Sequence, residues 1–284
     1  MGQSLHSNFV WQKIMNITPD SFSDGGVSFS AENLVNNFIL SYEQGVRNFD
    51  FGAQSTAPTS KNIGFDEEIK RFEKCFIPFL QNSQILEVSS DCTFSFDTFR
   101  PATICYLMDA LKSNNLAPKE VYWNDVSGVV DDSTIRFLES EDNVKLVLCH
   151  NITNDREGTS GHFNLSLKEE GHEFLDQVAT FFNDRICKIP PHLHNKVIID
   201  PCFGFSKNFS QNKYLFENLK YVFDQLNFRQ ALIGVSRKRF LRQMSGLNIE
   251  QKEELDLYQR EVLRRVLPVR EEITHIIRSH SDPF

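Results

Sequence analysis

Hydrophobic residues along this sequence fall into short, nearly continuous runs, which alternate with longer segments of helical periodicity. The runs are rich in β-branched and aromatic residues, a pattern typical of parallel strands that are buried on both faces. We therefore predict strands over 13–18, 47–52, 93–97, 120–125, 144–150, 195–201, 230–236 and 274–280.

Between these runs, apolar residues recur every three to four positions, as one face of an amphipathic helix does. The first such stripe spans 34–42, with Ser30 placed to cap its beginning and Gly45 to end it. Pro101 stands where a helix would begin after the third strand. Another stripe follows the sixth strand over 215–226.

Eight strands with seven helical crossovers, and no shift in composition between them, predict an α/β protein with one (β/α)8 TIM barrel over residues 1–284. An open, doubly wound sheet is the alternative. The sequence ends four residues after the last predicted strand, so we predict a barrel that lacks the eighth helix. The groove beside strands 8 and 1 should then expose apolar surface unless another segment or subunit covers it.

Composition narrows the class of protein. The net charge of −8 argues against nucleic acid or an anionic membrane as the main partner. No apolar run approaches the length of a membrane span, and the N-terminus does not read as a signal peptide. Six cysteines without a CxxC pair fit reduced thiols better than a disulfide framework or a zinc site. We expect a cytoplasmic protein.

Polar side chains stand at the carboxyl end of every predicted strand, the edge at which TIM barrels bind their ligands. Any single one could simply cap the next helix. Their presence at all eight ends indicates a ligand-binding mouth. The set comprises Asn16, Asp50, Gln54, Ser55, Thr56, Asp97, Asn124, Asp125, His150, Asp200, Ser236, Arg237, Lys238, Arg278 and His280.

The residue types within this set suggest a ligand. Asp97, Asn124 and Asp200 suit a flat heterocycle with several N–H donors. Lys238 and Arg278 bring positive charge, which suits a carbonyl oxygen and a phosphate. The sequence contains neither a P-loop nor a GxGxxG motif. A pterin-like or purine-like ring with an anionic tail is the predicted ligand.

The segment NITPDSFSDGG at 16–26 joins a strand end to a polar loop that two glycines allow to bend. It could be an ordinary connection or a substrate loop. The sequence of this segment resembles the first signature motif of the dihydropteroate synthases. Further motifs of that family follow in the same order: FDFGAQSTAP (49–58), FSFDTFRP (94–101), YWNDVSG (122–128), IIDPCFGFSKN (198–208), LIGVSRKRF (232–240) and IIRSH (276–280).

This resemblance covers roughly residues 14–280 and implies a TIM barrel that condenses 6-hydroxymethyl-7,8-dihydropterin pyrophosphate with p-aminobenzoate. It implies that four side chains hold the pterin: Asp97, Asn124, Asp200 and Lys238. Phe205 and Gly234 would shape the pterin pocket. Asp50 and Arg237 complete the substrate-binding set that we predict.

The resemblance also implies that Asn16, Arg278 and His280 hold the pyrophosphate, with Mg²⁺ bound at Asn16. Lys238, Arg278 and His280 are the predicted catalytic residues. Five residues would frame the p-aminobenzoate pocket when the first two loops close and exclude water: Pro19, Phe22, Thr56, Pro58 and Ser236.

Several positions depart from the family pattern. Ala57 stands where the family has an arginine in the second loop, and Gln54 replaces a glutamate. Cys149 takes the place of an apolar methionine against the pterin, and Cys202 that of a glycine. The helix before strand 8 carries bulky and charged residues, which suggests that the side of the barrel that forms dimers is rebuilt. We expect a homodimer or a hetero-complex.

Three functions remain open at this point. A dihydropteroate synthase is the leading interpretation. A pterin-binding homologue that no longer catalyses and acts as a binding or partner subunit is the alternative suggested by Ala57 and the altered C-terminal end. A methyltransferase that uses a methylated folate is disfavoured, because methyl transfer needs no p-aminobenzoate pocket, whereas the SFSDGG loop and the Ser-Arg-Lys motif are both present.

Overall fold

A closed barrel of eight parallel strands forms the centre of the computed structural model, which describes residues 8–18, 30–54, 62–153, 155–156, 167–267 and 272–283. The strands are β1 (Phe9–Asn16), β2 (Asn48–Gly52), β3 (Thr93–Asp97), β4 (Glu120–Asp125), β5 (Val144–Cys149), β6 (Val197–Asp200), β7 (Gln230–Ile233) and β8 (Thr274–Ser279). β8 pairs with β1, with Gln12 opposite Arg278. The TIM barrel is thus confirmed, and the open sheet is wrong.

Helices cover the outside of the barrel between consecutive strands. They are α1 (Ala31–Glu43), α2 (Phe65–Leu80), α3 (Ser83–Val88), α4 (Pro101–Ser113), α5 (Asp132–Ser140), α6 (Gly171–Ile186), α7 (Phe209–Glu217), α8 (Leu219–Phe223), α9 (Arg239–Ser245) and α10 (Lys252–Val266). Within the described residues, no helix is long and apolar enough to cross a membrane.

The predicted helix signals act as expected at two starts. The Ser30 hydroxyl accepts a hydrogen bond from the Asn33 N–H at 3.2 Å, which caps α1. Pro101 occupies the first turn of α4, where its missing N–H costs no helical bond. The stripe over 215–226 is divided, because the Asn218 side chain donates to the Tyr214 carbonyl and separates α7 from α8.

Two layers of apolar side chains hold the barrel together. Outside the strands, phenylalanines from α1, α2, β2 and β3 stack on one another, with Phe38 and Phe49 ring centroids 4.0 Å apart. Inside the barrel, Tyr122, Val147, Ile198, Leu232 and Ile276 form a buried layer. This inner layer is the floor beneath the polar carboxyl ends of the strands.

The residues after β8 fold back over β1. The Ser281 carbonyl accepts a hydrogen bond from the Trp11 indole at 2.7 Å, and the Asp282 carboxylate pairs with Lys13 at 2.9 Å. Asp282 also accepts from Ser41 of α1 at 2.7 Å, and its carbonyl accepts from Arg260 of α10 at 2.6 Å. A short segment thus covers part of the groove predicted there, and no helix follows β8 as far as residue 283.

Candidate active site

The mouth of the barrel collects side chains that point inward from the strand ends. Asp97 lies opposite Asn124 in the register of β3 and β4, and Cys149 lies opposite Asp200 in that of β5 and β6. Asp97, Asn124 and Asp200 are buried, and Lys238 lies close enough to both aspartates to interact with their charges. The four predicted pterin ligands therefore converge on one pocket.

Arg278 bridges two carboxylates across this mouth. Its guanidinium lies 2.5 Å from an oxygen of Asp50 and 2.6 Å from one of Asp97. Burial alone would lower the pKa of Arg278, but the two carboxylates raise it overall. Asp50 also accepts a hydrogen bond from the Ser95 hydroxyl. Asp50 therefore holds Arg278 in place, and the assignment of Arg278 to the pyrophosphate stays a prediction.

The acidic and amide groups of the mouth have capacity for a ligand. Burial raises the pKa of Asp97 to about 7, against the opposing charge of Arg278. Burial also raises the pKa of Asp200, while one of its oxygens accepts the Cys202 N–H at 2.7 Å. The side-chain oxygen of Asn124 is buried without a hydrogen-bond partner among the described residues. Such an acceptor is costly unless a ligand donor meets it.

Two half-buried lysines border the same pocket. Lys238 donates to the Phe203 carbonyl, and its ammonium lies 5.3 Å from the centroid of the Phe205 ring. Burial lowers its pKa to about 8, although Asp200 opposes the shift. Lys207, to which the sequence analysis gave no role, donates to the carbonyls of His150, Cys202 and Phe205 at 3.2, 3.2 and 3.0 Å. Burial lowers the pKa of Lys207 to about 7.

One wall of the pocket is apolar. It is formed by a buried cluster of Phe99, Val126, Cys149, Cys202 and Phe205. Gly234, the predicted pocket-shaping glycine, lies beside Leu232 and Arg278, and a Cβ there would make ordinary contacts with their side chains at 3.8 and 3.9 Å.

The expectation of six reduced thiols is wrong for one pair, because Cys149 and Cys202 form a disulfide. They are 53 residues apart in sequence, so spacing alone could not reveal the contact. Barrel register brings them together, since Cys149 lies beside Asp200. The other four cysteines are free.

A second cavity of about 520 Å³ lies beside the carboxyl end of β1. Its lining includes Asn16, Arg237 and His280. Arg237 pairs with Asp256 of α10 at 3.1 Å, and the His280 ring lies 3.1 Å from the Ser236 hydroxyl. This cavity, which we call the outer cavity, brings together two of the predicted anion ligands, Asn16 and His280.

Two arginines that the sequence analysis did not single out organise the loops around the mouth. Arg100 contacts Glu68, Gln54 and Asn62, each at 3.0 Å. A basic residue just beyond the end of the third strand is the only signal that could have indicated it. Arg156 pairs with Asp125 and with Asp131, and nothing in its sequence context points to this role.

The backbone at Gly128 explains why the motif YWNDVSG ends in a glycine. Its φ is +68°, and a Cβ there would lie 2.4 Å from the Cys149 carbonyl oxygen. Only glycine fits this approach of the β4 loop to β5.

Four predicted p-aminobenzoate residues lie outside the described residues: Pro19, Phe22, Thr56 and Pro58. Ala57 and Lys61 lie outside them as well. Their assignments stay predictions.

Comparison with known proteins gives consistent matches. A family model described as "Pterin binding enzyme" matches residues 12–269. A folate synthesis bifunctional protein of Arabidopsis thaliana is 30% identical over 245 residues, which cover 82% of this chain and 46% of the plant protein. The chain thus spans about half the length of that relative.

Two bacterial proteins extend the comparison. Dihydropteroate synthase type-3 of Escherichia coli is 28% identical over 241 residues, which cover 84% of this chain and 82% of that protein. A crystal structure of the Yersinia pestis dihydropteroate synthase with a sulfonamide drug complex has the same fold. The TM-score is 0.71 at 21% identity, with 97% of this chain and 90% of that chain covered.

Proposed function

The chain belongs to the family of pterin binding enzymes, and from this we propose that it acts as a dihydropteroate synthase. The reaction condenses 6-hydroxymethyl-7,8-dihydropterin pyrophosphate with p-aminobenzoate to give dihydropteroate and pyrophosphate. The observation that carries the proposal is the pterin pocket, in which three buried acceptor side chains and Lys238 converge on one space above the apolar floor.

The pocket matches the hydrogen-bonding edge of a pterin. The ring offers N–H donors, which the carboxylates of Asp97 and Asp200 and the unpaired oxygen of Asn124 accept. It also carries a carbonyl oxygen, to which the Lys238 ammonium donates. The Phe205 ring and the rest of the apolar wall contact the flat face of the ring.

The chemical step replaces one bond at the pterin methylene. The C–O bond to pyrophosphate breaks, and the leaving group takes the electron pair. The amine nitrogen of p-aminobenzoate forms the new C–N bond and loses a proton. Arg278 and His280, at the end of β8, meet the charge that develops on the leaving group, and the pterin ligands hold the ring while the methylene is electron-poor.

Magnesium belongs to this proposal, and the residues present fit it. Asn16 exposes a side-chain amide at the end of β1 and lines the outer cavity with His280. An amide oxygen, phosphate oxygens and water are the hard donors that Mg²⁺ prefers. Bound there with the substrate, Mg²⁺ supplies positive charge that stabilises the departing pyrophosphate.

The second substrate enters from the outer side of the mouth. Ser236 lies beside His280 and places a hydroxyl at this edge. Pro19, Phe22, Thr56 and Pro58 complete the p-aminobenzoate pocket in the proposal. Because a sulfonamide resembles p-aminobenzoate in shape, we expect it to compete with that substrate.

The test is pyrophosphate release by the purified protein from the pterin pyrophosphate, with and without p-aminobenzoate. Dihydropteroate formation that a sulfonamide inhibits competitively supports the proposal. Asp109→Asn, an exposed residue on α4, is the matched control for Asp200→Asn and should retain activity. No turnover with or without p-aminobenzoate, despite tight pterin binding, would favour the non-catalytic binding subunit instead, which Ala57 in place of the family arginine motivates.

We further propose that the barrel associates through the side on which α1 and α10 flank the segment 280–283. Leu40 of α1 and Leu257 of α10, 57% and 62% exposed, are the two most exposed large apolar side chains among the described residues. Light scattering at micromolar concentration tests this, and a strictly monomeric protein contradicts it. We further propose that the protein works in the cytoplasm, since four of its six cysteines are free and a single pair, Cys149 and Cys202, is bonded.

A further inference from the structure

We propose that Cys149 and Cys202 are a reversible redox pair in the wall of the pterin pocket, and that the disulfide is the form that binds the pterin more tightly. The inference rests on the proposed function, because it assigns the pterin to this pocket. It extends that function by making the ligand affinity depend on thiol oxidation.

The position of the pair is the first argument. Cys149 ends β5 and faces the inside of the barrel, since its register partner Asp200 and the preceding inward residue Val147 both do. Cys202 follows Asp200 by two residues. The Cα atoms of the two cysteines are 5.4 Å apart, within the range that a disulfide requires. The two sulfur atoms therefore lie beside one of the main pterin ligands.

The backbone of Cys202 is the second argument. Its φ is +54°, in the left-handed region where glycine is favoured and a residue with a side chain is uncommon. In the motif that this segment resembles, the position is a glycine. The chain thus carries a cysteine at a position that suits glycine, and this cysteine reaches the other cysteine that departs from the motif.

Hydrogen bonds around the Cys149–Cys202 pair connect it to Asp200, which is a proposed ligand of the pterin. The Cys202 N–H donates to Asp200 at 2.7 Å, and Lys207 donates to the carbonyls of both Cys202 and His150, the residue after Cys149. The disulfide fixes the peptide that orients the Asp200 carboxylate. It also draws the two sulfur atoms together within the apolar wall.

Reduction changes both the orientation of the Asp200 carboxylate and the separation of the two sulfur atoms. Two thiols must move apart from bonded to non-bonded distance, and Cys149 and Cys202 are 0% and 2% exposed. The separating sulfur atoms must therefore displace their neighbours in the apolar wall, which the pterin ring would contact. A displaced Cys202 also withdraws its N–H from Asp200. Both effects weaken pterin binding.

The chemistry is thiol–disulfide exchange with a small-molecule disulfide, such as oxidised glutathione, that enters through the mouth. One protein thiolate attacks a sulfur of the small disulfide, forms a mixed disulfide and releases the first small thiol. The second protein thiolate attacks the mixed disulfide, closes the Cys149–Cys202 bond and releases the second small thiol. Two electrons pass from the protein to the small molecule, and the two thiol protons are accounted for by the two thiols released.

The other four cysteines differ from the Cys149–Cys202 pair in reactivity or exposure, so an experiment can tell them apart. Cys75 and Cys92 are buried and free, and burial raises the pKa of Cys92 to about 12, which keeps it as an unreactive thiol. Cys105 and Cys187 are exposed and serve as internal reporters of complete reduction.

The experiment is calorimetry with a probe that binds without turnover, 6-hydroxymethylpterin monophosphate. Protein oxidised with glutathione disulfide is compared with protein reduced by a phosphine and freed of it. A chelator is present throughout, because the reduced sulfurs and the Asp200 carboxylate lie within 4.8 Å of one another and could hold a metal ion. Mass spectrometry reports the state of the pair.

We expect the reduced wild type to bind the probe about tenfold more weakly, the effect of losing one hydrogen bond to a charged group. Reoxidation should restore the affinity. Cys202→Gly should bind equally after either treatment, whereas Cys105→Ser, the matched control for removal of a thiol, should keep the wild-type response. By linkage, the bound probe should slow reduction of the pair in the wild type.

Equal affinity of the oxidised and reduced wild type overturns the inference while leaving the proposed function intact. Failure of the pair to oxidise also overturns it. Absence of probe binding in both states overturns the proposed function and this inference with it. A Cys202→Gly variant that does not fold leaves the comparison of the two wild-type states and the protection by the probe as decisive measurements.

Discussion

The pterin pocket and the outer cavity are built differently. The pocket takes its acceptors Asp97, Asn124 and Asp200 from strand ends, where Asp97 and Asp50 also pair with Arg278. The outer cavity takes its lining from the end of β1, from loops and from helices α1, α2 and α10, and its Asn16 is exposed. Strand ends are fixed by barrel register, whereas loops and helix starts are not. We infer that the pocket is preorganised for the ring and that the outer side is completed by its substrates.

Metal removal should separate the two regions most sharply. A chelator should abolish turnover, because the departing pyrophosphate needs the positive charge that Mg²⁺ supplies on the outer side. Binding of a pterin without a pyrophosphate should be unchanged, since the pocket itself needs no metal. Parallel assays of turnover and calorimetric affinity measure this. Full activity in the chelator would contradict the assignment of Mg²⁺.

Arg278 pairs with two carboxylates of the mouth and is proposed to meet the pyrophosphate, so its loss should affect both regions. We expect Arg278→Ala to lower turnover by about 10²-fold or more, as loss of a charge contact in the transition state does. Removing the guanidinium also leaves Asp50 and Asp97 without the cation that pairs with both. Steady-state kinetics should show the loss, and Arg264→Ala on the exposed face of α10 should not. Turnover within twofold of wild type would argue against the role.

Within the pocket, single ligands should each matter less. Asp200→Ala or Lys238→Ala should weaken pterin binding by about 1.5–3 kcal/mol, the contribution of a hydrogen bond to a charged group. Calorimetry at one pH compares the two variants with wild type. Unchanged affinity in both would reject the pocket assignment.

A substitution in the second loop should raise turnover rather than lower it. If the family arginine at position 57 contacts the pyrophosphate, Ala57→Arg should raise turnover by up to about tenfold, which is about 1.4 kcal/mol. Lys61→Ala should lower it further, because Lys61 is the nearest candidate for a substitute cation. Kinetics with saturating p-aminobenzoate test both. A wild type and an Ala57→Arg variant that bind pterin but are equally inactive would favour the non-catalytic subunit.

The last effect concerns stability rather than turnover or binding. Because burial raises the pKa of Asp97 to about 7, above its unfolded value of about 3.9, folding favours the protonated form. The contribution of Asp97 to stability is therefore full below pH 4 and is lost as the pH rises through 7. Asp97→Asn removes this dependence. Thermal unfolding at pH 5 and pH 8 should show wild type losing stability relative to the variant at the higher pH, and a constant difference would contradict the shift.

The same division between strand ends and loops explains what the sequence could predict. Asp97, Asn124 and Asp200 were predictable, because parallel strands place their carboxyl ends at one edge regardless of side-chain detail. The Ser30 cap of α1 and the start of α4 at Pro101 depend on neighbouring residues only, so they were predictable as well.

Contacts between segments that are distant in the sequence could not be predicted from residue type and position along the chain. The Cys149–Cys202 bond and the anchoring of Arg156 join segments that are distant in sequence, and no periodicity encodes them. The partners of Arg278 were likewise hidden, since a charged strand-end residue can point at a ligand or at a neighbouring strand. Pair geometry, rather than residue type, decides between these.

The segment at 281–282 has a consequence for the timing of folding. Trp11 and Lys13 of the first strand find partners there at sequence separations of 270 and 269 residues. During synthesis, β1 leaves the ribosome long before β8 and these residues exist, so its outer edge stays unpaired while the rest of the chain emerges. Closure of the barrel is therefore a late event, and a chaperone that shields β1 during that interval would raise the yield of folded protein.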